Sequence, residues 1–189
     1  MHRLISWLLA LGTALAATGS AQALNPASVD ILGFRLGMSL RDVRAGLAAQ
    51  GLAGRAHEVS APCAGAAEKR CVSAIRIRTA DGVLTLRFGP GAEGLVDTIV
   101  YALDGRGAGE SAMIRSAVTD RFGRPNSLHP MAWCRPPIDA SSCPRDRPRL
   151  TFESGPSGTS VLTLSLPQVS EPPDPSVAAA SDALNDSRK

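Results

Sequence analysis

The chain has few aromatic residues, and beyond its first segment it has no long apolar run. Phe, Trp and Tyr together make up 4% of the residues, so the core has to be built from Leu, Val, Ile and Ala. After the N-terminal segment, no apolar stretch reaches the roughly 20 residues that a membrane-spanning helix needs. We therefore expect one domain without a transmembrane segment.

The chain also lacks a cluster of charges of one sign. Lys and Arg total 20 against 17 Asp and Glu, for a formal charge of +3. Arg far outnumbers Lys, but the arginines are scattered along the sequence. Because a nucleic-acid-binding surface needs basic residues clustered on one face, we predict no nucleic-acid partner.

The motifs of common catalytic and metal sites are absent as well. There is no C-x-x-C, no H-x-x-x-H and no carboxylate cluster. His57 and His129 both fall in predicted loops, far from a pattern that would activate a nucleophile. The sequence therefore predicts a non-enzymatic protein with no catalytic residue, metal or cofactor.

The N-terminus has the pattern of a secretory signal peptide. A short positive start is followed by the apolar stretch 4–17 and by a small-residue cleavage site at Ala21 and Ala23. The apolar stretch is too short for a membrane anchor, and no cysteine at the cleavage point offers a site for a lipid. We predict a periplasmic or secreted protein that begins after Ala23.

The four cysteines all lie beyond this signal. An even number in an oxidising compartment indicates disulfides. Three connectivities are possible, and proximity favours Cys63 with Cys71 and Cys134 with Cys143. A four-thiolate zinc site is the rival interpretation, but both gaps exceed the roughly two to four residues usual in structural zinc sites.

The segment 37–51 is the most complete helix signal. Ser39 can cap the N-terminus, Asp42 offers an approximate capping box, and Gly51 can end the helix. A second helix is predicted over 111–122, with an apolar stripe and a glycine at its exit.

Alternating apolar residues predict strands at 72–80 and 83–88, joined by the turn pair Asp81-Gly82. A two-residue loop at that point places Ile77 opposite Leu86 and Arg76 opposite Arg87. Further strands are predicted at 95–103, 131–134, 150–153 and 161–166, and a disordered tail at 167–189.

Landmarks in the two halves of the chain recur at a constant offset. Each half has a glycine, a helix, a cysteine pair and a hairpin in the same order. We predict an α+β fold in which an antiparallel sheet carries two helices on one face. The domain, 24–166, would consist of a tandem helix–hairpin repeat over about 31–103 and 104–166.

Short motifs resemble known families. L-G-M-S-L-R-D-V at 36–43 resembles the opening helix of the small outer-membrane lipoproteins of the SmpA/OmlA (BamE-like) group, and F-G-R-P at 122–125 resembles the helix exit of that group. The tandem helix-and-sheet layout is similar to the secreted β-lactamase inhibitor proteins. The resemblance implies a fold that binds proteins and is not catalytic.

Arg76, Arg78 and Arg87 form the one arrangement that suggests a binding surface, because all three fall on the outer face of the predicted hairpin. One interpretation is a solvated face with Asp97 or Glu93 nearby. The other is a patch for an acidic partner, such as a protein loop or lipid headgroups. We therefore expect a protein-interaction or envelope-accessory module of unknown partner and oligomeric state. A small-ligand carrier or a hydrolase with a pocket between sheet and helices is the alternative.

Overall fold

The computed structural model describes residues 24–89, 94–104, 108–135, 143–144, 146–155 and 158–167. The predicted signal peptide, Glu93 and all of the predicted tail beyond Pro167 lie outside the described residues.

One antiparallel sheet dominates the structure. Its eight strands lie in the order β1-β2-β3-β4-β8-β7-β6-β5. Their bounds are β1 Ala56–Cys63, β2 Ala66–Arg78, β3 Gly82–Phe88, β4 Val96–Leu103, β5 Ser127–Leu128, β6 Met131–Cys134, β7 Arg149–Ser154 and β8 Ser160–Ser165.

The helices are two short additions to this sheet. Helix α1 spans Leu40–Ala49 and helix α2 spans Ala108–Phe122. The Ser39 hydroxyl caps α1 by accepting a hydrogen bond from the amide of Asp42 at 3.2 Å, and Gly51 follows the helix with a φ of 68°. Both helices lie close to the segments that the sequence predicts.

The predicted fold class is nevertheless wrong, because the molecule is dominated by its sheet and is not an α+β fold with two helices on one face. The sheet supplies most of the buried apolar side chains. By contrast, α1 contributes Val43 and Leu47, and α2 contributes Val118. The sequence prediction underestimated the sheet because two strands, β1 and β5, carry no hydrophobic alternation that would reveal them.

Strand β1 shows why these segments were missed. It has the sequence AHEVSAPC and no fully buried residue. An edge strand of this kind is held by its backbone pairing to β2 rather than by an apolar face. The same pairing extends β2 back to Ala66, six residues before the predicted start at Val72.

The predicted hairpin between β2 and β3 exists, but its register differs by two residues. Ile77 lies opposite Leu84 instead of Leu86, and Arg76 lies opposite Thr85 instead of Arg87. The turn is centred one residue earlier than predicted, because Thr79 and Gly82 pair across it through a 2.9 Å backbone hydrogen bond. A shift of two residues leaves every side chain on its predicted face.

The core lies on one face of the sheet. Alternate residues of the central strands are fully buried there, together with the buried residues of α1 and α2. The strand residues in this cluster include Ile75, Ile77, Leu84, Leu86, Ile99, Leu150, Phe152, Leu162 and Leu164.

The sheet consists of two four-stranded meanders joined where β4 pairs with β8. The outer strands of the two meanders differ in length, since β1 has 8 residues and β2 has 13, whereas β5 has 2 and β6 has 4. The two meanders therefore do not match strand for strand, and the tandem repeat stays a prediction.

Candidate functional site

The sheet face opposite the core carries small and β-branched side chains. We call this surface the open sheet face and define it by the outward-facing residues of β2, β3, β4, β8 and β7. Side chains on adjacent positions of a strand point to opposite faces, so these residues alternate with the core residues. They are Ala74, Arg76, Arg78, Val83, Thr85, Arg87, Thr98, Val100, Ala102, Val161, Thr163, Ser165, Arg149, Thr151 and Glu153.

The centre of the open sheet face is only partly buried. Val83, Thr85, Val100 and Thr163 retain intermediate exposure, and none of them belongs to the core cluster. A row of Val and Thr offers short side chains and no protruding obstacle. This surface suits the close approach of another polypeptide.

A disulfide closes the far end of this face. On β6, Cys134 faces outward and is only 1% exposed. It is bonded to Cys143, so Cys143 lies on the outward side of β6. The open sheet face therefore ends near β7.

The three arginines identified from the sequence lie at the other end of the open sheet face. Arg76, Arg78 and Arg87 are all exposed. No ion pair or hydrogen bond to any of their side chains occurs within the described residues. The direct opposition of Arg76 and Arg87 that the predicted register implied does not occur, because Arg87 lies opposite Ala74. Diagonal placement weakens the mutual repulsion.

Two further basic residues extend this patch, and sequence reasoning missed both. His57 lies opposite Arg76 on β1. Arg55 precedes β1 and, with Arg78 and Thr79, lines an open depression of about 400 Å³. Residues 55, 57 and 59 lie at every second position, as residues on one face of a strand do. The residues between them do not form an apolar face, so the sequence does not indicate a strand here. We call Arg55, Arg76, Arg78 and Arg87 the cationic row.

Arg44 shows how an arginine near the core side of the sheet differs from those of the cationic row. Its guanidinium donates two hydrogen bonds to the Glu58 carboxylate, at 2.8 and 2.9 Å. This hydrogen bonding lowers the pKa of Glu58 and raises that of Arg44. Here a positive charge is neutralised within the fold, whereas the charges of the cationic row are left for solvent or a ligand.

The space between α1 and the sheet is filled. Phe34 and Val43 are 0% exposed and Leu47 is 3% exposed. A Cβ added to Gly46 would meet the Phe34 ring at 3.4 Å. The packing in this part of the described structure leaves no room for a ligand between helix and strands.

Tyr101 is the only tyrosine in the chain, and its hydroxyl lies 3.1 Å from the hydroxyl of Thr79. Burial raises its pKa, and the charges of Asp81 and Asp104 add to that effect. Tyr101 therefore stays protonated at neutral pH and acts as a structural hydrogen-bonding group at the end of the β2–β3 hairpin.

Because Trp133 stands beside Cys134, the sequence allows two interpretations of it, a binding anchor or packing against the neighbouring disulfide, and favours the second. Trp133 is 1% exposed, and its indole N–H donates to the carbonyl of Gly123 at 2.8 Å. Its ring packs edge-on against Phe122 with a centroid separation of 6.2 Å. Trp133 thus fixes the end of α2 to β6 and is not available to a partner.

The cysteines form the two disulfides Cys63–Cys71 and Cys134–Cys143, so none of the four sulfurs is free to hold zinc. Within the described ranges there is no group of three or more His, Cys, Asp or Glu residues that could hold a metal ion. In the same ranges, no helix is both long enough and apolar enough to cross a membrane. Disulfides are typical of proteins that fold in an oxidising compartment, and they fit an extracellular or periplasmic protein.

Comparison of the chain with protein-family models, with curated proteins and with solved structures finds no match.

Proposed function

We propose that the protein is an exported, non-enzymatic module that binds another protein through its open sheet face. The observation that carries the proposal is the asymmetry of the sheet. One face is committed to the core, whereas the other presents a partly exposed Val and Thr surface bordered by arginines that lack ion-pair partners among the described residues. Partly apolar surfaces with a charged border are typical of protein interfaces.

Export is part of the same proposal. The pattern of residues 1–23 supports cleavage after Ala23, and the two disulfides support folding outside the cytoplasm. An exported binding module of this kind would act as an envelope accessory or as an inhibitor of a secreted enzyme.

The alternative, a small-ligand carrier or hydrolase, needs a pocket between sheet and helices. Phe34, Val43 and Leu47 occupy that space beside α1, and the 400 Å³ depression lies elsewhere, at Arg55 and Arg78. Packing in this region therefore favours the binding module.

Site-specific photo-crosslinking tests the proposal in the producing cell. A photoreactive amino acid at Val100, in the middle of the open sheet face, should crosslink to a discrete protein. The same amino acid at Ser116, an exposed position of α2, serves as the matched control and should not capture that protein.

Equal crosslinking from both positions, or none from Val100 in a folded and exported protein, would contradict the proposal. Folding of each variant is checked by the far-ultraviolet circular dichroism spectrum and by the state of the two disulfides.

A further inference from the structure

We infer that the partner presents an extended acidic segment whose carboxylates alternate along the chain, and that this segment lies along β2 over the cationic row. The inference rests on the proposed function and specifies the chemistry of the ligand. It follows from the spacing of the arginines rather than from their number alone.

Arg76 and Arg78 are two residues apart on the same face of β2. In a strand, such residues are separated by about 6.6–6.8 Å. Residues i and i+2 of an extended ligand have the same separation, and both point to the same side. An acidic side chain at every second position of the ligand can therefore meet each arginine in turn.

Arg87 continues this series from the neighbouring strand. The next outward position of β2 after Arg78 and Arg76 is Ala74, which has no charge, but Arg87 lies directly opposite it on β3. Facing positions in adjacent antiparallel strands have Cβ atoms about 4.5–5.5 Å apart. A long guanidinium side chain spans that distance, so a third carboxylate at i+4 can be reached by Arg87.

The end of the cationic row beyond Arg78 supports a ligand that lies along β2. Beyond Arg78, Arg55 shares the open depression with it and with Thr79. Two guanidinium groups at one concave place suit the binding of a carboxylate, because arginine can donate two parallel hydrogen bonds to one.

A protein segment fits this surface better than a lipid membrane does. Peripheral membrane binding usually combines basic residues with large apolar side chains that enter the bilayer. The exposed large apolar residues of the described structure are Leu95, Met113 and Leu128, and none of them lies on the open sheet face. The row also consists of arginines, whose planar geometry matches carboxylates.

Two peptides of identical composition test the spacing directly. In Glu-Thr-Glu-Thr-Glu the carboxylates share one side of an extended chain, and in Glu-Glu-Glu-Thr-Thr they alternate between sides. Calorimetric titration of the whole mature protein at low salt should show the first peptide binding about tenfold more tightly, the effect of one lost charged hydrogen bond.

Charge reversal locates the site. Arg78→Glu and Arg76→Glu should each weaken binding of the alternating peptide by at least about tenfold. Arg115→Glu, at an exposed position of α2, should leave it unchanged within about twofold. The milder Arg78→Gln keeps the test informative if the reversed variants fold poorly.

Equal affinity for the two peptides, or an equal loss in Arg115→Glu, would overturn the inference. Binding of phosphatidylglycerol vesicles without binding of the alternating peptide would overturn it too. In each case the crosslink from Val100 is unaffected, so the failure of this inference is distinguishable from failure of the proposed function.

Discussion

At the residue scale, Gly82 is a position that does not tolerate a side chain. Its φ is 155°, and a Cβ placed there would collide with the backbone carbonyl oxygen of Ala102 and approach Leu103 Cα at 3.0 Å. These are backbone atoms of β4, which cannot move without breaking the pairing of β3 with β4.

We therefore expect Gly82→Ala to lower the free energy of unfolding by about 2–3 kcal/mol, as measured by urea denaturation. Gly109→Ala is the matched control, because nothing lies within 4 Å of its added Cβ. The control should be neutral or more stable by less than about 1 kcal/mol, since alanine favours a helix. Equal losses of unfolding free energy in both variants would show that the collision with Ala102 is not what destabilises Gly82→Ala.

The same glycine explains why the register of the hairpin could not be predicted. Asp81-Gly82 is a strong signal for the central pair of a two-residue turn. In the structure Gly82 instead pairs with Thr79, whose hydroxyl also donates to the Gly82 carbonyl at 3.0 Å. The glycine is needed for close approach to β4, a contact between distant segments that no local pattern reveals.

Glu58 offers a pH-dependent test at the same scale. Its hydrogen bonds to Arg44 lower its pKa below the ordinary value of 4.5. A group with a depressed pKa in the folded state stabilises the protein above its unfolded pKa, and this contribution is lost as the pH falls through its folded pKa. The side chain is 39% exposed, so screening by solvent keeps the contribution small.

We expect Glu58→Gln to reduce the urea midpoint at pH 7, and the difference from the unmodified protein to shrink as the pH is lowered below about 4.5. Glu153→Gln removes an exposed carboxylate that has no ion pair within the described residues. It should have little effect at either pH. A difference that grows on acidification would show that the Arg44 contact is not the cause.

At the element scale, strand β3 divides the two faces of the sheet residue by residue. Leu86 is 0% exposed in the core, whereas its neighbour Thr85 has intermediate exposure on the open sheet face. The two residues share the same backbone environment, so they make a matched pair for measuring how much each face contributes.

Leu86→Ala should lower the free energy of unfolding by about 2–5 kcal/mol, because it removes buried volume that the packed core cannot refill. Thr85→Ala should cost less than about 1 kcal/mol, the range of strand preference alone. Both values come from urea denaturation. A large loss at Thr85 would mean that the outer face is covered and is not free for a partner.

Whether a strand could be predicted from the sequence depends on whether its alternate residues enter the core. Segments whose alternating residues enter the core, such as Ile75 and Ile77, were predicted as strands. Strand β1 was missed because His57, Glu58 and Ser60 carry no apolar pattern, and with it the contribution of Arg55 to the cationic row was missed. Arg76, Arg78 and Arg87 could be predicted as one group because they share strands with core residues.

At the scale of the whole molecule, maturation can be measured directly. We expect the exported protein to begin at Leu24 and to contain the peptide links Cys63–Cys71 and Cys134–Cys143 without free thiols. Mass spectrometry of the protein purified from the periplasm or medium, before and after reduction, measures both. Retention of residues 1–23 would contradict cleavage after Ala23.

The fold as a whole was less predictable than its parts. The two helices and the β2–β3 hairpin follow from local patterns, such as the Ser39 cap and the alternation around Ile75. The joining of two meanders through β4 and β8 depends on pairs such as Ile99 with Leu164, which are far apart in sequence. A pattern within one segment cannot specify that pairing.

The irregular outer edge of β1 has a consequence for how molecules behave together at high concentration. Its pairing with β2 shifts in register after Val59 and again after Pro62, and proline offers no amide hydrogen to an added strand. At the opposite edge, β5 offers only two residues. Within the described residues, neither border gives a second molecule a long straight template, which discourages the pairing of sheets edge to edge.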